Sequence, residues 1–410
     1  MNQHTPNKTK TAWYLLCPLL LIISSATIAQ QSTLTIDSSL LDRITALENQ
    51  AADHKSGEDH FMVAGLTTFG FVSNKTTSTF GGVSQVSKAN SIVDGNDFEF
   101  SPMLLWRHGD KFLMEFEPSF ADDGLGVNWA DVTYFAAPGL MLRAGYLVLP
   151  FGIYEKRLAA GWINKFATDP DGVAGFTDYG VEVQGGFHAG DMKMSYDFAV
   201  SNSMQLQPDG TLTSLGLSPS NNHKTLTGRV GWLPLSNSSL EIGVSGMTGK
   251  VGDPGTDFES ASLNMYALDL SCVQNIKPFQ INIKGQYSVQ DISSVTYKSP
   301  VDSSDYHFNN HTAAAYIMAS VRPMFVDDKV LKNFELAARF ANYQTPANSL
   351  SGTKDNSFAV GLNYWLSWRT VVRFTYEAIK ANSTVPLALG GNPGTINQSN
   401  SMYLQFSIQL

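Results

Sequence analysis

Cysteine is nearly absent from this chain, long apolar runs are missing, and basic residues are outnumbered. The two cysteines are Cys17 and Cys272. Cys17 lies inside an export signal, so the processed chain keeps Cys272 alone and can form no internal disulfide. Past that signal no stretch approaches the ~20 apolar residues of a membrane helix. If this chain enters a membrane, it does so as strands. Its 27 basic residues face 36 acidic ones, and losing Lys8 and Lys10 with the signal leaves 25 against 36. Nucleic acid is excluded as a partner on that balance, because phosphate binding needs a basic surface. Catalytic signatures are missing as well. No Gly-x-Ser-x-Gly, His-Glu-x-x-His or Cys-x-x-Cys occurs. The histidines of the processed chain fall before the first strand, at turns or at loop–strand junctions, none beside an evident serine nucleophile. The expectation is no enzyme, no metal and no cofactor.

The N-terminus carries Lys8 and Lys10 without an acid, then an apolar run from Ala12 to Ile23, then small residues. This is the pattern of a secretory signal, residues 1–29, cleaved after Ala29. Residues 30–59 are polar, with Leu40, Leu41, Ile44 and Leu47 on one helical face. They read as a short periplasmic helix, or as a small trimerising or anchoring segment.

From Phe61 the period changes to two. Sixteen alternating segments are expected, near 61–73, 96–107, 111–119, 128–136, 139–148, 177–188, 191–202, 223–234, 238–250, 262–274, 278–290, 311–323, 333–344, 356–366, 369–380 and 400–410. In 371–377, for example, Val372, Phe374 and Tyr376 oppose Arg373, Thr375 and Glu377. Successive strand side chains point to opposite faces, so one face suits hydrocarbon and the other water. Short connections alternate with long polar ones near 74–95, 149–176, 203–222, 291–310 and 381–399, as in barrels with tight periplasmic turns and long external loops. A soluble sandwich would need no such asymmetry and would point its apolar faces at a shared core. The fold class is therefore all-β: residues 60–410 form a transmembrane antiparallel β-barrel of about 16 strands in the outer membrane, in contact with its lipids.

About sixteen strands enclose an aqueous channel. By parity the inward acids number eleven and the inward bases nine, the acids concentrated in the early strands. Arg143, Glu182, Arg229, Lys284, Arg339 and Arg373 are expected to line the pore. These charges either set a field that filters solutes or simply pair and keep the lumen wet. Weak selectivity follows, with a cation-ward shift on Arg373→Glu. The third long external link, 149–176, mixes aromatics and charges. Folded inward, it would place Glu155, Lys156, Arg157 and Lys165 at a constriction. Folded outward, it would cap the mouth.

Gly145-Tyr146 and Leu149-Pro150-Phe151-Gly152, followed by Trp162-Ile163-Asn164-Lys165, resemble the corresponding region of the phosphate-selective porin O/P family. The resemblance implies a 16-stranded, usually trimeric channel for small hydrophilic solutes or ions, with an inward third external loop. It also implies phosphate selectivity resting on a dense set of pore Arg and Lys. The balance of inward charge departs from that pattern, and Leu410 stands where many such barrels end in an aromatic. A passive channel is the leading expectation, a structural or adhesive barrel the alternative.

Overall fold

The computed structural model describes residues 59–92, 99–121, 124–158, 163–172, 175–214 and 221–409. The expected signal peptide, the expected helix within 30–59 and Leu410 lie outside the described residues. The barrel strands are β1 His60–Phe80, β2 in two pieces (Val83–Ile92 and Glu99–His108), β3 Phe112–Ala121, β4 Gly124–Ala137 and β5 Leu140–Val148. After a long link come β6 Thr177–Ala189, β7 Met192–Asn202, β8 Lys224–Leu233, β9 Leu240–Lys250, β10 Ser262–Ile276 and β11 Phe279–Ile292. The last five are β12 Asn310–Arg322, β13 Phe334–Gln344, β14 Thr353–Trp365, β15 Thr370–Ser383 and β16 Ile396–Gln409.

Each strand pairs antiparallel with the next. Strand β1 closes the sheet on β16, in register from Leu66↔Gln409 to Thr79↔Ile396. Closure leaves no free edge, so backbone donors and acceptors are satisfied without water, which hydrocarbon requires. The result is a closed sixteen-stranded barrel.

One expected link is corrected. Residues 74–95 were expected as a loop, but most of them extend the first hairpin. Lys75 to Phe80 pair with Lys88 to Val83. Gly81 and Gly82 turn the chain at φ +57° and +81°, the left-handed pair that a two-residue hairpin turn demands.

The faces divide as the alternation requires. Val181, Val183, Leu226, Val230, Tyr266, Leu268, Phe374 and Tyr376 stand bare on the outside, whereas Glu182, Arg229, Asp269, Arg373, Thr375 and Glu377 are buried inside. Water-soluble proteins arrange these classes the other way round. Bare aliphatic and aromatic side chains around a closed barrel are the lipid-facing belt of an outer-membrane β-barrel. At the external end, the links between β7 and β12 pack together. Val251, Ala261, Leu263, Ile292, Val295, Tyr297 and Phe308 form a buried cluster, with the Tyr297 and Phe308 rings stacked at 4.4 Å.

Leu268 lies near the middle of β10 and 54% of it is bare. Leu268→Arg should lower unfolding stability in lipid vesicles by about 2–4 kcal/mol, the cost of a cation at bilayer mid-depth. An unchanged denaturant midpoint would contradict the outward assignment.

Candidate functional site: the inner wall and residues 149–176

The Pro-Phe-Gly element directs the chain after β5. Leu149, Phe151, Ile153 and Tyr154 are buried. Gly152 sits at φ +67°, and a Cβ there would lie 2.2 Å from Gln286 Oε1. Only glycine allows both that backbone and that approach. The Gly152 N–H donates to Ser245 Oγ at 3.0 Å, and the Ile153 N–H donates to Gln286 Oε1 at 2.9 Å. Both acceptors belong to the inner face, on β9 and β11. A single helical turn, Tyr154–Leu158, follows. Its Tyr154 ring meets Tyr316 of β12 edge-on, with centroids 5.4 Å apart.

Residues 163–172 continue across the wall. Asn363 of β14 donates to the Lys165 carbonyl at 3.1 Å. The Ala167 N–H donates to Thr375 Oγ1 of β15 at 3.0 Å. Arg339 of β13 donates through Nη2 to Thr168 Oγ1 at 2.8 Å and to Glu377 Oε1 at 2.9 Å. Its guanidinium also lies over the Phe166 ring at 4.9 Å. Tyr154 and Asn164 both donate to Asp169. The segment is thus bonded to inner-face side chains from β9 to β15.

The residues singled out from the sequence fall into two environments. Arg143 grips Asp131 with Nε at 3.1 Å and Nη2 at 2.6 Å. It also reaches Glu115 at 3.2 Å and Glu182 at 3.3 Å, so one guanidinium serves three carboxylates. Lys156 donates to Glu182 and approaches Asp197 at 3.9 Å. Glu155 is half-buried beside them. Burial raises its carboxyl above the ordinary range, Asp169 raises it further, and the Gly175 backbone N–H opposes both.

The other bases are covered. Lys165 pairs with Glu335 at 3.1 Å and lies over the Trp365 ring at 5.0 Å. Arg229 holds Asp269 at 2.6 Å and Glu241 at 3.0 Å. Arg373 bonds Gln405 at 2.7 Å and Ser407 at 2.8 Å. Arg229, Lys284, Arg339 and Arg373 point inward and are buried. The selectivity shift expected of Arg373→Glu therefore loses its basis, because that side chain does not meet the open lumen. The Arg157 side chain lies outside the described residues.

Between the segment and β1–β5 a cavity of about 560 Å³ remains. Glu99, Glu115, Glu117 and Arg143 line its wall side, and Glu155, Lys156 and Asp169 its segment side. Two features of this gap were missed in the sequence. A register shift at Glu117/Pro118 turns Asn128 inward, where its amide donates to Glu117 Oε1 at 2.9 Å. Asp169 belongs to a link with no strand periodicity, so parity gave it no face, and nothing in the sequence set it apart from Glu155 and Asp171 in the same link. Among the described residues, no cluster of three or more His, Cys, Asp or Glu is placed to hold a metal ion.

No protein-family model and no curated protein sequence matches this chain. Solved structures do. The outer membrane channel DcaP of Acinetobacter baumannii superposes with a TM-score of 0.54 at 11% identity, over 87% of this chain and 99% of that one. OmpF of Salmonella typhi, solved with daunomycin, gives 0.51 at 10% identity, over 85% and 97%. An anion-selective porin from Comamonas acidovorans gives 0.50 at 14% identity, over 86% and 100%. The fold is that of the outer-membrane porins.

Arg229→Leu should destabilise the barrel by about 3–5 kcal/mol, because it leaves the buried Asp269 carboxylate without its bidentate partner. Guanidinium unfolding in detergent measures this, and a loss below about 1 kcal/mol would show that Asp269 is solvated rather than clasped.

Proposed function

We propose that the protein is an outer-membrane porin: a water-filled channel for passive diffusion of small polar or charged solutes, narrowed by residues 149–176. The observation that carries this reading is the set of hydrogen bonds from the described residues of that segment to inner-face side chains on β9, β11, β13, β14 and β15. A segment anchored along half the wall reduces the open cross-section to the gap beside β1–β5. Glu155 and Lys156 form its segment side, with Arg157 next in the same turn. Arg143 and Glu182 form the wall network that Lys156 docks on. Lys165 acts from beneath, holding the segment to Glu335.

Partners in this reading are outer-membrane lipids, the permeating solutes, and two further copies in a homotrimer. The role is transport without catalysis, and no cofactor takes part. The resemblance to phosphate-selective porins is carried over here to the architecture and to the constricting loop. It does not extend to a dense basic pore.

Planar-bilayer recording tests the reading. The wild type should form discrete channels, and excising residues 155–170 should raise the conductance at least about twofold, since conductance follows the narrowest section. Heat-modifiable gel mobility checks that the excised barrel is folded. A folded variant with wild-type conductance would favour an external cap. A folded wild type that conducts nothing would favour the structural or adhesive barrel.

A further inference from the structure

The barrel's inward charge is sorted by position, and the sorting bears on what passes. Arg229, Arg339 and Lys165 are each paired with a carboxylate, Arg339 and Lys165 where residues 163–172 lie against the wall. Arg373 is buried on the same side, bonded to β16. These cations are withdrawn from the lumen. The gap beside β1–β5 keeps the opposite residue. Among the described side chains, five carboxylates line it, Glu99, Glu115, Glu117, Glu155 and Asp169, against Arg143 and Lys156. Both of those cations are already committed to wall acids that include the fully buried Asp131 and Glu182. Glu99, Glu117 and Glu155 make no salt bridge among the described residues. Glu99 and Glu117 are instead steadied by neutral donors, Ser101 and Asn128.

We propose that the gap selects for cations: small inorganic cations and short organic amines pass in preference to anions of equal size. This rests on the channel reading above and names its substrate class. The dimension of the gap is what makes the charge effective. Carboxylates from both the wall side and the segment side line one space of about 560 Å³, and fixed charges act on a solute most strongly within the Debye length of roughly 8 Å at physiological salt. In a low-dielectric frame, ionised carboxylates at that range alter local ion concentration strongly, and because burial raises the Glu155 carboxyl the effect grows as pH rises. A wide lumen with the same residues would be nearly indifferent. The balance differs because Arg229, Lys165 and Arg339 are held by carboxylates and Arg373 by neutral side chains of β16, so none of the four is left facing the gap.

Reversal potentials of the wild-type protein across a potassium chloride gradient test the proposal first. The expected result is a potential of the sign that marks cation preference, larger at low salt. Uptake into liposomes then compares putrescine with succinate, four-carbon chains of opposite charge, with putrescine faster. The triple variant Glu99→Gln, Glu117→Gln, Glu155→Gln should lower the potassium-to-chloride permeability ratio about threefold or more, while uptake of a neutral sugar stays unchanged. Asp327→Asn, in the turn between β12 and β13, serves as the control and should leave the ratio alone. Channels that conduct with no preference, or that favour chloride or succinate, would overturn the cation reading and leave the channel standing. Absence of conductance in folded wild type would instead overturn the channel itself. The wild-type potential decides the matter even if the triple variant does not fold.

Discussion

Charge placed on the inner face of a closed sheet has to be paired or wetted, and the rest of this molecule follows from how that is done. Outside, hydrocarbon tolerates only apolar side chains. Inside, Arg229, Asp269, Glu335, Arg339 and Glu377 are buried more deeply than the aromatic residues on the outer wall. Burial of an isolated charge is prohibitive, and burial of a hydrogen-bonded pair is tolerable. The chain meets this by two routes. Neighbouring strands supply partners directly, as Asp269 and Glu241 do for Arg229. Residues 149–176 supply the others, with Lys165 for Glu335 and the Thr168 hydroxyl for Arg339. The segment is therefore part of the wall's electrostatics.

Gly152 links this arrangement to the sequence. The turn into the lumen needs a left-handed residue and a backbone pressed against Gln286. A side chain at this position would meet an unfavourable left-handed backbone and would require the Gln286 amide to move. The preceding Pro150 and Phe151 are buried, so the turn is anchored by apolar packing as well as by its polar bonds. Beyond it, Phe166 lies under the Arg339 guanidinium, where an aromatic face offsets part of the cost of burying that cation.

The strand count, the faces and the closing pair of strands were readable from the sequence, because lipid on one side and water on the other impose a period of two. The first hairpin was not. Ser73-Asn74-Lys75-Thr76-Thr77-Ser78-Thr79 is polar at every position. Above the lipid both faces of a strand are polar, so the alternation disappears while the pairing continues. The bulge at Asn128 was hidden for a related reason: one inserted residue reverses parity locally, and nothing in Asn128 itself announces it. Parity also put Arg339 and Arg373 on the correct face without telling whether anything covers them. Cover comes from a segment more than 150 residues away in sequence, bonded through side chains that obey no period. Face was legible and burial was not: Arg229, Lys284, Arg339 and Arg373 face inward as parity requires, but they are buried.

The central claim is that residues 149–176 lie against the inner wall, and a cross-link tests it most directly. The Ala167 N–H and Thr375 Oγ1 are 3.0 Å apart, close enough for cysteines at the two positions to meet the Cα separation a disulfide requires, about 4.4–6.8 Å. In a Cys272→Ser background, Ala167→Cys with Thr375→Cys should oxidise to a single intramolecular disulfide in the membrane-inserted barrel, visible as a reducible mobility shift. If position 167 instead stays reduced and reacts freely with a bulky external maleimide, the segment lies outside the lumen and the account is wrong.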